Sequence, residues 1–257
     1  ATLRHGHAGF LGGDLLAVTA GELCVPAVIT DTVVEFDCMN MKRREFSQVA
    51  AGAALASAAL LSPLAHAQAK KPVAGKDFHI LDAKAPVEAP AGKIEVVEFF
   101  WYSCPHCNIF EPALANWVKA LPKDMAFKRS HVAFNDGFVP QQRLFLALEA
   151  MGMLEKLHVK VFNAIHSEKV NLAKGDAITD WVVKQGVDKA KFLEQYNSFS
   201  VSTKATRSTQ LQNAYRVEGV PALGIAGRFY TDGSMAGSME RALQVAEYLI
   251  AEVRAGR

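Results

Sequence analysis

Residues 94–102 read Ile-Glu-Val-Val-Glu-Phe-Phe-Trp-Tyr, a near-continuous run of β-branched and aromatic side chains. A strand of this kind is apolar on both faces, which places it in the middle of an α/β sheet. The period then changes. Phe110, Leu114, Trp117, Val118 and Leu121 recur at spacings of three and four, predicting a helix over 107–120. A second strand is expected over 125–134. Upstream, residues 68–92 hold Pro72, Pro86 and Pro90 among small residues and read as a loose leader with one short strand over 77–81.

From Pro140 to Tyr215 the helical period dominates. Leu144, Leu148, Met151, Leu154, Leu157, Val161, Phe162 and Ile165 predict two helices broken near Gly152. Three more are expected over 177–184, 189–198 and 201–215. Residues 220–230 then read as a hairpin turning at Ala226-Gly227, and Met239–Arg254 as a closing helix. The order is strand, helix, strand, helical block, two strands, helix. Cys104 and Cys107 form a C-x-x-C between the first strand and its helix, and that context points to a thioredoxin-like redox fold. The expected class is α/β, a thioredoxin-like fold with an inserted all-helical domain. Its first part covers 68–135, the insertion 136–208 and its second part 209–257.

The start of the chain reads differently. Lys42, Arg43 and Arg44 follow Met41, residues 49–61 are apolar and alanine-rich, and Ala65-His66-Ala67 has the small-x-small form of a cleavage site. Together these predict a secretory signal peptide over 41–67. The apolar run is shorter than the ~20 residues a membrane-spanning helix needs. The paired arginines fit either a twin-arginine or an ordinary Sec signal. Residues 1–40 are read as upstream sequence without fixed structure, the true start being Met41; a real N-terminal extension ahead of the export signal is the alternative. On the first reading Cys24 and Cys38 have no function, and the mature protein keeps only Cys104 and Cys107.

The 257 residues are 50% hydrophobic and 21% charged, as in a globular protein with a substantial core. A formal net charge of +2 does not argue for nucleic acid as a partner. Zinc finds little support, because a structural site uses two separated ligand pairs and the mature chain has one. A purely structural disulfide is also a weak reading, since so short a loop removes little chain entropy. For redox chemistry the spacing is favourable. With Cys104 at the N-cap, Pro105 at the first helical position, then His106 and Cys107, the Cys104 sulfur faces the free N–H groups and the positive end of the helix. Both favour a thiolate. His106 adds a charge or a donor beside it, unless it is an ordinary solvated histidine. A stabilised thiolate makes the disulfide easy to reduce.

The segment "VVEFFWYSCPHCNIFEP" resembles the active-site segment of the DsbA family of periplasmic thiol:disulfide interchange proteins, and the likeness extends over nearly all of 72–254. The resemblance implies a strong oxidant that passes its disulfide to reduced, unfolded exported proteins and is reoxidised by a DsbB-like membrane quinone reductase. It implies no metal or organic cofactor. Pro221, after Val220, is similar in placement to the family's cis-proline, whose backbone pairs with bound substrate; proline at a strand start is the plainer reading. Glu98 stands out within the apolar strand. The resemblance implies a buried acid there that moves the proton of the second cysteine, with Arg129 as its basic partner; a strand-edge acid facing solvent is the other reading. Glu111 matches the family pattern and equally fits a solvated helix face. Trp101, Tyr102 and Phe134 are candidates for an apolar peptide-binding patch, with core the plainer reading of each. A monomer is expected. A reductase or isomerase on the same fold and a non-catalytic peptide-binding chaperone are the alternative functions.

Overall fold

The structure, a computed structural model, describes residues 70–257 and two short strands that precede them, β1 (Cys24–Pro26) and β2 (Phe36–Cys38). These two pair antiparallel, with Cys24 opposite Cys38. The remainder of 1–40 and the export signal expected over 41–67 lie outside the described residues. Residues 70–257 form a unit of their own.

That unit carries a five-stranded sheet in the order β3 (His79–Ile80), β7 (Phe229–Asp232), β6 (Ala222–Ile225), β4 (Ile94–Phe100), β5 (Met125–His131). The run of β-branched and aromatic residues is central, as its two apolar faces require. β4 lies between β6 and β5, and every residue of it after Ile94 is buried. β4 and β5 run parallel, joined by helix α1 (Pro105–Lys119), and the other pairs are antiparallel. The two long strands end earlier than periodicity predicts. Beyond Phe100 the chain turns at Tyr102 and Ser103, and beyond His131 it leaves the ladder.

The helical block follows β5. A short 3-10 turn (Asp136–Phe138) leads into α2 (Val139–Ala150), α3 (Leu154–His166), α4 (Gly175–Lys184), α5 (Lys189–Tyr196) and α6 (Phe199–Ala214). α2 and α3 are separated at Gly152, whose φ of 65° is a left-handed conformation that suits glycine. α6 serves both parts of the unit. Val201 at its start packs among the helices, whereas Leu211 near its end packs with Val97, Phe99 and Tyr230 on the sheet. The residue after α6, Tyr215, lies against Gly224 so closely that an added Cβ there would meet its ring at 2.4 Å. Its hydroxyl accepts the Gly227 N–H at 2.9 Å, tying the end of α6 to the β6–β7 turn. That turn has positive φ at Ala226 and Gly227. A short helix α7 (Gly233–Ala236) and the closing helix α8 (Met239–Arg254) complete the chain, with Val245, Ala246, Leu249 and Ile250 packed on the sheet beside Val96, Leu223 and Ile225. The fold is thioredoxin-like with helices inserted between β5 and β6.

Candidate active site

The β4–α1 junction builds the site. Cys104 occupies the N-cap of α1 in extended geometry (φ −78°, ψ 117°), and Pro105 begins the helix where its missing N–H breaks no bond. The Cys104 Sγ accepts the Cys107 N–H at 3.4 Å, one of the donors that a helix start leaves free. It also lies 3.4 Å from the Val220 carbonyl oxygen, to which the thiol form donates. The Val220–Pro221 peptide bond is cis, and this segment precedes β6. His106 is exposed, whereas both cysteines are buried and unlinked, so this is the dithiol form.

The two thiols are strongly unlike. A hydrogen bond from the Cys107 thiol, with the His106 and Cys107 N–H groups and the His106 ring, holds Cys104 down to about 6 against the effect of burial. Burial pushes Cys107 far up, reinforced by its bond to Cys104 and by the negative charges of Cys104 and Glu98. The arrangement gives a nucleophilic, easily displaced sulfur at Cys104 and a protonated partner at Cys107.

Behind the cysteines lies a network of buried charge. Glu98 is 1% exposed and faces inward, not toward solvent. Arg129, beside it on β5, donates Nε to Glu98 Oε2 at 3.0 Å and Nη2 to Glu111 Oε1 at 2.8 Å. One guanidinium thus serves two carboxyls. Burial raises Glu98 to about 8, the nearby charge of Glu111 adding to it and Arg129 opposing it. Glu111 is lowered: donors from His158 and Arg129 outweigh its burial. The helix-face alternative for Glu111 therefore fails, because that face of α1 is covered.

Three groups that periodicity does not mark join the network. Tyr102 is fully buried, so it belongs to the core rather than to a peptide patch. Its hydroxyl lies 2.9 Å from His158 Nδ1, and its N–H donates to His131 Nε2 at 3.3 Å. Burial lowers His131 to about 3, which leaves it neutral and able to accept. His158 sits among the apolar residues of α3 and gives no sign of its role from spacing. A second buried acid on β4, Glu95, points to the opposite face and is held by the Glu88 N–H at 2.9 Å and Lys128 at 3.6 Å. Of the other aromatic candidates, Trp101 packs on Phe138 at 4.3 Å and Phe134 is 39% exposed. Ile109, just past the C-P-H-C turn, is 72% exposed. Among the described residues no group of three His, Cys, Asp or Glu side chains is placed to hold a metal ion.

Comparison with known proteins agrees with this geometry. The family described as DSBA-like thioredoxin domain matches residues 95–244. The thiol:disulfide interchange protein DsbA of Burkholderia cepacia is 43% identical over 200 residues, spanning 78% of this chain and 94% of that protein. The protein of the same name from Bordetella pertussis is 38% identical over 215 residues, spanning 83% of this chain and all of that one. The crystal structure of Pseudomonas aeruginosa DsbA superposes with a TM-score of 0.69 at 42% identity, covering 72% of this chain and 96% of that one. The chain belongs to the DsbA-like thioredoxin domain family and is a thiol:disulfide oxidoreductase.

Proposed function

We propose that this oxidoreductase works in the periplasm, donating a Cys104–Cys107 disulfide to newly exported proteins. The observation that carries the reading is the unequal pair at the start of α1: the Cys104 sulfur caps the helix and accepts the Cys107 N–H at 3.4 Å, whereas Cys107 is fully buried. A substrate thiolate attacks the Cys104 sulfur, the Cys104–Cys107 bond breaks, and Cys107 leaves with the electron pair. Cys107 then takes a proton, for which Glu98, raised to about 8, is the nearby buried acid. A second substrate thiolate attacks the substrate sulfur of the mixed disulfide and releases Cys104 as the thiolate its surroundings favour. Two substrate thiols are oxidised, and one protein disulfide is reduced.

Pro105 fixes the helix start that presents the donors, and His106 adds its charge beside Cys104. The Val220 backbone, next to Pro221 and 3.4 Å from the Cys104 sulfur, is the edge along which an extended substrate segment pairs. Ile109 and Phe134 offer exposed apolar surface to that segment. Reoxidation falls to a DsbB-like membrane quinone reductase that accepts electrons from the dithiol, and the working form is a monomer. Periplasmic residence rests on the signal peptide expected over 41–67.

The test is direct. Ultraviolet titration of the reduced protein gives a thiolate midpoint near 6 for Cys104, and Cys104→Ser abolishes oxidation of a reduced, unfolded test protein. A midpoint close to that of free cysteine, or retained oxidation by Cys104→Ser, would sink the reading.

A further inference from the structure

The network behind the cysteines does not stop at Glu111. Its second oxygen, Oε2, is buried and has no hydrogen-bond partner at ordinary distance. His158 Nε2 faces it at 3.5 Å and is likewise buried and unpaired. The two atoms face each other across that gap. The ring is enclosed by Phe100 at 5.4 Å and Phe162 at 5.2 Å, both edge-on, which keeps water from replacing either group.

The surroundings set the histidine's proton. A carboxylate facing Nε2 requires that nitrogen to carry the hydrogen, which leaves Nδ1 to accept. The Tyr102 hydroxyl, 2.9 Å from Nδ1, then donates to it. The other charged or titratable groups facing the ring are Arg129 and His131 from β5, and Glu155 on its own helix, α3. Arg129 disfavours a charge on the ring and burial does so more strongly, so the neutral tautomer with hydrogen on Nε2 is the working form.

The consequence reaches the cysteines. Glu98 and Glu111 share one guanidinium, so the acid with more donors holds its negative charge and the other keeps a proton. Glu98 receives Arg129 Nε, whereas Glu111 receives Arg129 Nη2 and faces His158. We propose that His158 is a positioning residue: by directing its Nε2–H at Glu111 it keeps that carboxylate ionised and leaves Glu98, the acid whose charge reaches Cys107, as the holder of the mobile proton. Tyr102 supports it by fixing the tautomer. This inference rests on the reading that Glu98 exchanges a proton with Cys107.

Two readouts, the first on the folded dithiol protein and the second on its disulfide form, separate the inference from that reading. Isotope-labelled glutamate carboxyls are titrated by NMR, with Glu98→Gln and Glu111→Gln assigning the signals. In His158→Phe the Glu98 midpoint falls by about one pH unit and that of Glu111 rises, as loss of a donor to a buried carboxylate requires. An unchanged Glu98 midpoint in folded His158→Phe overturns the proposal. Should that variant fail to fold, Tyr102→Phe, which loses one hydroxyl and keeps the ring, carries the test. The Glu98 midpoint falls in it too, and no change overturns the proposal. The second readout is the pH profile of substrate-thiol attack on the disulfide form. In His158→Phe its alkaline limb moves down with the Glu98 midpoint. A Glu98→Gln profile that matches the parent protein removes the proton role of Glu98, while the carboxyl titration still decides what His158 does.

Discussion

At the scale of single residues, the site is a contest between burial and donors. Cys104 and Glu98 are both buried, yet they shift in opposite senses. Cys104 meets N–H groups, a thiol and the His106 ring, whereas Glu98 has one shared guanidinium. Glu98 has a stability signature that follows from its direction of shift. Its folded value lies above its ordinary 4.5, so its contribution is present below 4.5 and is lost as pH rises through about 8. Replacing it removes that loss. In urea unfolding of the dithiol form, the stability of Glu98→Gln relative to the parent protein therefore rises between pH 4.5 and 8, by up to about 1.4 kcal/mol per pH unit. A difference that stays flat across that range would show that Glu98 is not buried as an acid.

At the scale of elements, Arg129 joins β5 to β4 through Glu98 and to α1 through Glu111. Arg129→Met leaves two buried carboxyls without a counter-charge. Removing one partner of a buried ion pair costs about 3–5 kcal/mol. That loss is expected near neutral pH and shrinks in acid, where both carboxyls are protonated; chemical denaturation at the two pH values checks it. The junction of sheet and helical block depends instead on packing. Phe100 of β4 meets Phe145 of α2 at 5.2 Å and Phe162 of α3 at 6.1 Å, with Tyr102 beside them. Phe162→Ala opens this cluster, and a loss of about 3–5 kcal/mol in urea unfolding is expected. A loss under 1 kcal/mol would mean that α3 packs there only loosely.

Across the whole molecule, redox state and stability are linked. The folded dithiol holds Cys104 at about 6, below its ordinary 9.0, so its extra stability is present above pH 9 and lost as pH falls through about 6. The disulfide form has no such thiol to titrate. The stability of the dithiol form relative to the disulfide form should therefore fall by up to about 1.4 kcal/mol per pH unit on going from pH 9 to 6, measured by urea unfolding of both. The same preference is what makes the disulfide an oxidant, because whatever stabilises the folded dithiol favours giving the disulfide away. A pH-independent difference would break that link.

Much of this was legible from the chain alone, for local reasons. A stretch dominated by β-branched and aromatic side chains has to be covered on both sides, so β4 is central. Cysteine, proline, histidine and cysteine at a strand-to-helix junction place Cys104 at a helix start, because N-cap geometry depends on neighbours in sequence. Likewise the 3.6-residue period marks five helices between β5 and β6, and Gly152 marks the break between the first two. Tertiary structure decided what long-range contact decides. Glu111 lies on a helix whose pattern leaves its exposure open, and only the packing of Arg129 and α3 buries it. Tyr102 looks like groove and core alike until Phe100, Phe145 and Phe162 close around it. His158, 56 residues from Tyr102, reads as one more residue of an amphipathic helix. Val220 is brought to Cys104 across 116 residues. The sequence by itself determined which sulfur sits at the helix start; the fold determined which acids, donors and rings surround it, because burial and shared hydrogen bonds exist only once distant segments meet.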